Sequence, residues 1–260
     1  MQRSNTKLKV CFVVMFTITL ANLGESFYGQ GQQDLSRDKV DKETQRLERK
    51  KELEGRFPIA DYEAPEPSHP QERAKRKARG ERHNKSTLGV KGGLNAPPNS
   101  GTETILTNDW EVSVPRIPVA QSDVVLVGTI LDANAYISTD RNGVYSEFTL
   151  KVEDVFKRDK ATLLSVGESV LVERQGGRVR FPSGRVEWYR IALQSMPQVN
   201  CRYVLFLKRL DDDSFSIITG YELREGKVHP LDNDASQFRI YEGVDEVHFL
   251  HQVREAIAAQ

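Results

Sequence analysis

One predicted hairpin in the C-terminal half carries the residue types best suited to binding a ligand. The alternation of its residues places Arg178 and Arg180 on one face of the first strand. On the return strand, Arg185 and Tyr189 share a face, and Trp188 lies on the other. Guanidinium groups pair with carboxylate or phosphate, and aromatic rings beside them stack on sugars or bases. These five residues are the candidate binding site; the alternative is that Trp188 fills the core and the arginines are solvated on an edge strand.

Metal chemistry has a weaker basis in the sequence. His248, His251 and Glu255 stand at i, i+3 and i+7 of a predicted helix, and a further ligand such as His229 would have to approach them. Polar histidines on the outer face of an amphipathic helix are ordinary, so we predict no metal site there. Residues 211–213 are three aspartates that could hold calcium, but the loop lacks an EF-hand pattern and an acidic turn needs no ion.

Catalytic signatures are missing from the sequence. It contains no G-x-S-x-G, Walker loop, H-E-x-x-H or C-x-x-C motif, so we predict a non-enzymatic protein without a cofactor. Cys11 lies in the apolar N-terminal stretch, which leaves Cys201 without an internal disulfide partner. At the start of an apolar strand, Cys201 is predicted to be a buried small hydrophobe, with a reactive thiol as the alternative.

The N-terminus has the pattern of an export signal. Three basic residues precede position 10, the apolar stretch Val10–Leu23 follows, and small residues stand at Gly24 and Ser26. This order predicts a signal peptide over residues 1–26, cleaved after Ser26, because the stretch is short for a membrane span. An uncleaved anchor is the alternative. The mature protein is therefore expected in the periplasm, at the cell surface or outside the cell.

Residues 27–104 are charged and poor in apolar residues. A solvated, partly formed helix is predicted at 34–55, and the Pro- and Gly-rich segment 58–101 is predicted to be disordered. Within it, residues 73–85 hold seven Lys and Arg against one Glu. This basic cluster is either a solvated linker or a weak contact for an anionic surface. The whole chain has 37 basic and 37 acidic residues, which does not favour specific nucleic-acid binding.

The ordered part is predicted to be a small β domain at residues 105–234. The strongest strands are Val124–Leu131, Tyr145–Phe156 and Cys201–Leu210, with Gly128 marking a bulge. Six or seven short strands with turns between them predict a small antiparallel barrel or sandwich. Residues 235–260 change to a helical period, and this C-terminal amphipathic helix is expected to pack on the barrel.

A resemblance narrows the fold. The phrases VVLVGTI, EFTLKVEDVFK, VGESVLVERQGG and RYVLFLK resemble the OB-like barrel of netrin-like domains and of tissue inhibitors of metalloproteinases. They are similar also to uncharacterised exported bacterial proteins. The similarity covers residues 117–231 and implies an OB-like fold with an extracytoplasmic binding role. Those inhibitors chelate zinc through an N-terminal cysteine, and no cysteine begins this mature chain, so no inhibitory residue carries over.

The sequence therefore predicts an exported, non-enzymatic binding or interaction module. Its partner is expected to be an envelope or extracellular protein or a polysaccharide. The alternative is a membrane- or wall-tethered structural protein in which the charged region acts as a spacer.

Overall fold

The computed structural model describes residues 58–84, 94, 104–106, 114–158, 164–212 and 214–260, with the backbone alone at 104–106. All of them belong to one compact unit, Lys50–Gln260. The predicted signal peptide and the predicted helix at 34–55 lie outside the described residues. None of the helices in the described part of the chain is long and apolar enough to cross a membrane.

The protein is mainly β, with two sheets and a C-terminal helix. The elements in chain order are β1 (Ile59–Asp61), α1 (Pro70–Arg82), β2 (Thr104–Leu106), β3 (Val124–Ile137), β4 (Val144–Lys157), β5 (Ser169–Gln175), β6 (Gly177–Arg180), β7 (Val186–Ile191), β8 (Arg202–Arg209), β9 (Ser214–Arg224), β10 (Lys227–Pro230), a 3₁₀ turn (Arg239–Tyr241), β11 (Val244–Asp245) and α2 (Glu246–Ala258).

Five strands close into a barrel. The larger sheet runs β11-β10-β9-β5-β4-β3-β8, and β8 also pairs with β9, so β3, β4, β5, β9 and β8 form a ring. Every pairing in the ring is antiparallel except the one between β5 and β9. This is the strand order of an OB fold, which confirms the predicted fold class. The ladder between β3 and β4 shifts register beside Gly128, where an added Cβ would lie 2.4 Å from the Lys151 carbonyl oxygen.

The barrel interior is filled by the inward residues of its two strongest strands. Phe148 and Leu150 of β4 are buried with Leu205 and Leu207 of β8 in one apolar cluster, as expected for inward positions that alternate along each strand. Strand β8 is buried on both faces, because Phe206 packs outward into a second cluster. That second cluster is covered by α2.

Helix α2 begins at the Asp245 N-cap, whose side chain accepts a hydrogen bond from the His248 amide. Its buried residues are Phe249 and Val253, which pack against the outside of the barrel. The prediction that this helix packs on the barrel is therefore confirmed. Within the helix, Val247 is exposed, whereas Phe249 lies on the buried side.

The predicted hairpin belongs to a second, four-stranded sheet of order β1-β6-β7-β2. Strands β6 and β7 pair antiparallel, and β1 and β2 flank them in parallel. A third apolar cluster, which includes Ala60, Leu94 and Tyr189, joins this sheet to the end of the barrel.

The prediction that residues 58–101 are disordered is the one that differs most from the structure. Within segment 58–101, residues 58–84 form β1 and α1, and Leu94 is buried. The low apolar content of segment 58–101 predicted that it would be disordered. The structure shows that α1 is held by ion pairs instead, and these contacts form the site described next.

Candidate functional site: an acidic face of the barrel

The five residues proposed from the sequence are only partly brought together. Cross-strand pairing places Arg178 opposite Trp188, so Arg178, Arg180 and Trp188 share one face of the second sheet. Tyr189 points the other way and is buried in the third apolar cluster. Arg185 donates a hydrogen bond to the buried carboxylate of Glu187 over 2.8 Å. Tyr189, rather than Trp188, therefore fills the core, and its ring has no accessible face for stacking.

The residues weighed for metal binding are dispersed among protein partners. His229 contacts Glu242 at 2.6 Å, and His251 lies 3.7 Å from Glu255 on the exposed side of α2. Among the described residues, no group of three or more His, Cys, Asp and Glu side chains is arranged to hold a metal ion. Cys201 is half-buried against the barrel core, and burial raises the pKa of its thiol.

Two buried glutamates define a different site. Glu147 on β4 and Glu173 on β5 are direct cross-strand partners, and both are buried, at 5% and 1% exposure. Like charges directly opposite each other in a ladder repel and destabilise the sheet unless a cation lies between them. We call the surface formed by Glu147, Glu173 and Asp211, together with Tyr136 and Tyr145, the acidic face.

Helix α1 supplies the cations. Arg76 contacts Glu147 at 3.0 Å, and Arg82 contacts Glu173 at 2.5 Å. Between them, Arg79 reaches both carboxylates, at 3.4 Å from Glu147 and 3.8 Å from Glu173. These arginines stand at i, i+3 and i+6, so they lie on one side of the helix. The rise over three helical residues is about 4.5 Å, so Arg76 and Arg82 reach one carboxylate each while Arg79 lies between the two neighbouring strands.

Aromatic rings complete the contact. The Arg76 guanidinium lies over the Tyr136 ring, 3.0 Å from its centroid. The His83 ring stacks on Tyr145 at 4.2 Å and contacts Glu173 through Nε2 at 3.1 Å. The cation–π contact of Arg76 and the ring stack of His83 add direction to the charge pairing, since each places a flat group over a tyrosine ring.

Both loops at the rim of the acidic face also touch the helix. In the loop between β8 and β9, Asp211 contacts Arg82 at 2.6 Å, so a guanidinium occupies the acidic turn. In the loop between β3 and β4, the Thr139 hydroxyl donates to the Asn84 side chain. Gly80 allows this approach, because a Cβ at that position would lie only 3.3 Å from the Thr139 amide nitrogen.

The pKa values of the two glutamates are shifted in opposite directions. Burial raises the pKa of Glu147 above its usual value, against the opposing effect of Arg76 and Arg79. Burial alone would also raise the pKa of Glu173, but the hydrogen bond from His83 and the charge of Arg82 outweigh it, so that pKa is lowered. The helix therefore stabilises the charged form of Glu173 more completely than that of Glu147.

Apolar packing contributes little to the docking of α1. Gly80 is its only buried residue, and no residue of α1 belongs to the three apolar clusters of the described chain. A cavity of about 370 Å³ lies beside the helix, bounded by Lys75 and Arg79 on one side and by Phe215 on the other. The attachment of α1 is thus almost wholly ionic and aromatic.

A second buried ion pair has a structural role. Arg174 and Asp232 are 2.8 Å apart and almost fully buried. Arg174 also donates to the Ser195 carbonyl, while Asp232 accepts from the Ser195 amide and the Thr219 hydroxyl. These bonds join β5, β9 and the segments that follow β7 and β10. Both charged side chains are buried, so the cluster ties these strands and segments of the barrel together.

The acidic face was not predicted from the sequence. Glu147 and Glu173 sit at positions that alternate with apolar residues and read as solvated strand faces. The signal that was present is the spacing of Arg76, Arg79 and Arg82 along a segment with good helix formers. No protein-family model matches the chain, and a comparison with curated proteins found no match either.

Proposed function

We propose that this protein is an exported, non-enzymatic interaction module that binds its partner on the acidic face of the barrel. One observation carries the proposal: two carboxylates are buried side by side on adjacent strands, and cations held against them are what make that arrangement stable. In OB folds, ligands bind on the second and third barrel strands and on the loops beside them. Glu147, Glu173 and Asp211 occupy those places here.

The chemistry of the face selects the class of partner. Carboxylates repel phosphate groups and attract guanidinium and ammonium groups, so the face suits a basic protein segment and does not suit nucleic acid. The fold-level resemblance to netrin-like domains agrees with an extracytoplasmic binding role. The alternative, a tethered structural protein with a charged spacer, is less well supported, because residues 70–82 of the supposed spacer dock on the barrel.

Site-specific photo-cross-linking in the native host tests the proposal. A cross-linking residue is placed at Asp212, at the rim of the acidic face, or at Arg180, on the hairpin first proposed from the sequence. Exposed Glu225, in the turn between β9 and β10, is the control position. Cross-links to an envelope or extracellular protein from position 212 alone are expected. Cross-links from position 180 alone would place the binding surface on the second sheet.

Mass spectrometry of the mature protein tests export. A chain that begins near Phe27 is expected, whereas an intact N-terminus on a membrane-bound chain would favour the tethered alternative.

A further inference from the structure

We infer that the ligand of the acidic face is an arginine-bearing α-helix of a partner polypeptide, and that α1 is the chain's own exchangeable occupant of that site. This inference rests on the proposed binding function and adds to it the chemistry and shape of the ligand. It follows from the geometry, the composition and the tethering of α1.

The geometry is specific for arginine on a helix. One guanidinium, that of Arg79, spans both buried carboxylates, and another lies flat over Tyr136. A lysine ammonium is a compact charge that lacks the planar, forked set of donors needed for both contacts. Arginines three residues apart on a helix give this arrangement, in which the middle guanidinium lies between the two carboxylates and its neighbours reach one carboxylate each.

The composition of α1 makes it exchangeable. It spans 13 residues, and an isolated helix of that length is marginal in water. No apolar side chain of the helix itself is buried, and no residue of α1 belongs to the three apolar clusters of the described chain, so its release leaves those clusters intact. Released arginines regain water, whereas the facing pair Glu147 and Glu173 is left without cations. The empty face therefore favours a new cationic ligand.

The tethering of α1 favours a partner polypeptide over a second copy of the chain. On one side of α1, β1 pairs with β6, and Tyr62 donates its amide to the Arg180 carbonyl. On the other side, Leu94 is buried in the third apolar cluster. Both flanks are thus fixed to the second sheet of the same copy. Exchange of α1 between two copies would have to break these contacts as well.

The test compares two full-length variants that each remove two positive charges from α1. R76A/R79A removes contacts to the acidic face, whereas R73A/K77A removes charges on the outer side, where the side chains are 51% and 69% exposed. The probe is a fluorescently labelled synthetic peptide of residues 66–85. A second peptide carries lysine in place of Arg76, Arg79 and Arg82. Binding is measured by fluorescence anisotropy, and thermal melts check the barrel.

The expected result is that R76A/R79A binds the arginine peptide at least tenfold more tightly than the wild type or R73A/K77A does. The lysine peptide should bind at least tenfold more weakly, and adding E147Q/E173Q should abolish binding. Excess arginine peptide should also speed hydrogen exchange of the α1 amides in the wild type, a readout that needs no variant.

Three outcomes would overturn the inference. They are no peptide binding by an R76A/R79A protein that melts like the wild type, equal binding of the two peptides, and light scattering that shows a dimer formed by exchange of α1. If the first of these occurred while cross-links from position 212 persisted, the proposed function would stand and only the identity of its ligand would be wrong.

Discussion

Replacing Glu173 by glutamine tests whether buried carboxylates hold α1 on the barrel. Glu173 is 1% exposed and contacts Arg82 at 2.5 Å, His83 at 3.1 Å and Arg79 at 3.8 Å. A hydrogen bond to a charged group contributes about 1.5–3 kcal/mol to stability, and glutamine keeps the shape but loses the charge. The loss cannot exceed the docking free energy of α1, because an undocked helix rehydrates its arginines.

Limited trypsin digestion measures the effect. Cleavage within α1 tracks the undocked population when undocking is fast compared with cleavage. A loss of about 1.5–3 kcal/mol corresponds to a roughly 10- to 150-fold faster cleavage within residues 70–82. The matched control is Glu242→Gln, which removes a carboxylate from the exposed pair with His229, and it should leave the rate within about twofold.

Equal cleavage rates in the wild type and Glu173→Gln would refute the reasoning, whether both were slow or both fast. Slow cleavage in both would mean that α1 is held by contacts other than this carboxylate. Fast cleavage in both would mean that the helix does not dock and that the segment behaves as the linker expected from its composition. Mass spectrometry of early fragments identifies the cleaved bond, and intact fragments starting after residue 84 report the barrel separately.

Four other outcomes are expected. Glu147→Gln should speed cleavage of α1 by less than tenfold, because burial raises the pKa of that carboxyl and its charge is already costly to the fold. In that variant, hydrogen exchange corrected for intrinsic rates should show α1 protection lost as the pH falls from about 5 to 3, because the remaining buried glutamate has a lowered folded-state pKa and stabilises docking only while charged. Gly80→Val should undock α1, whereas Ala78→Val on its exposed side should not, as trypsin cleavage rates will show. Leu205→Ala should cost about 2–5 kcal/mol in thermal or denaturant unfolding, and Lys151→Ala less than about 0.5 kcal/mol, because Leu205 is fully buried and Lys151 is exposed.

The barrel could be predicted from sequence because its information is local. Period-two alternation in Phe148, Leu150 and Val152 predicts which face is buried, and a strand such as β8 with apolar residues on both faces has to be central. Gly128 predicts the bulge because only glycine fits against the facing strand. What alternation does not give is which sheet a hairpin joins, so β6 and β7 were expected on the barrel and lie instead in a second sheet with β1 and β2.

The acidic face could not be predicted in the same way, because its information is distributed over the chain. Glu147 lies 71 residues from Arg76 and Glu173 lies 91 residues from Arg82, so no local sequence pattern links the partners of either pair. A glutamate that alternates with apolar residues in a strand predicts a solvent-exposed face, unless a cation from elsewhere in the chain packs on it. A basic segment with few apolar residues predicts disorder, unless it docks on an acidic surface. The strand glutamates and the basic segment are therefore each predicted to be solvent-exposed when they are considered separately.

The same physics explains why α1 is ordered and why that order is conditional. Its docking free energy comes from charge pairs, which weaken as salt screens them, rather than from buried apolar area, which does not. The barrel keeps its apolar clusters with or without α1, so the two parts respond differently to ionic strength: salt should release the helix well before it affects the melting of the barrel. A helix that contributed to the core could not be exchanged for a partner's without unfolding the domain. Helix α1 is held mainly by the polar and aromatic contacts of Arg76, Arg79, Arg82 and His83, so its release does not require the core to unfold. The face it leaves presents two adjacent carboxylates to the next arginine-bearing helix.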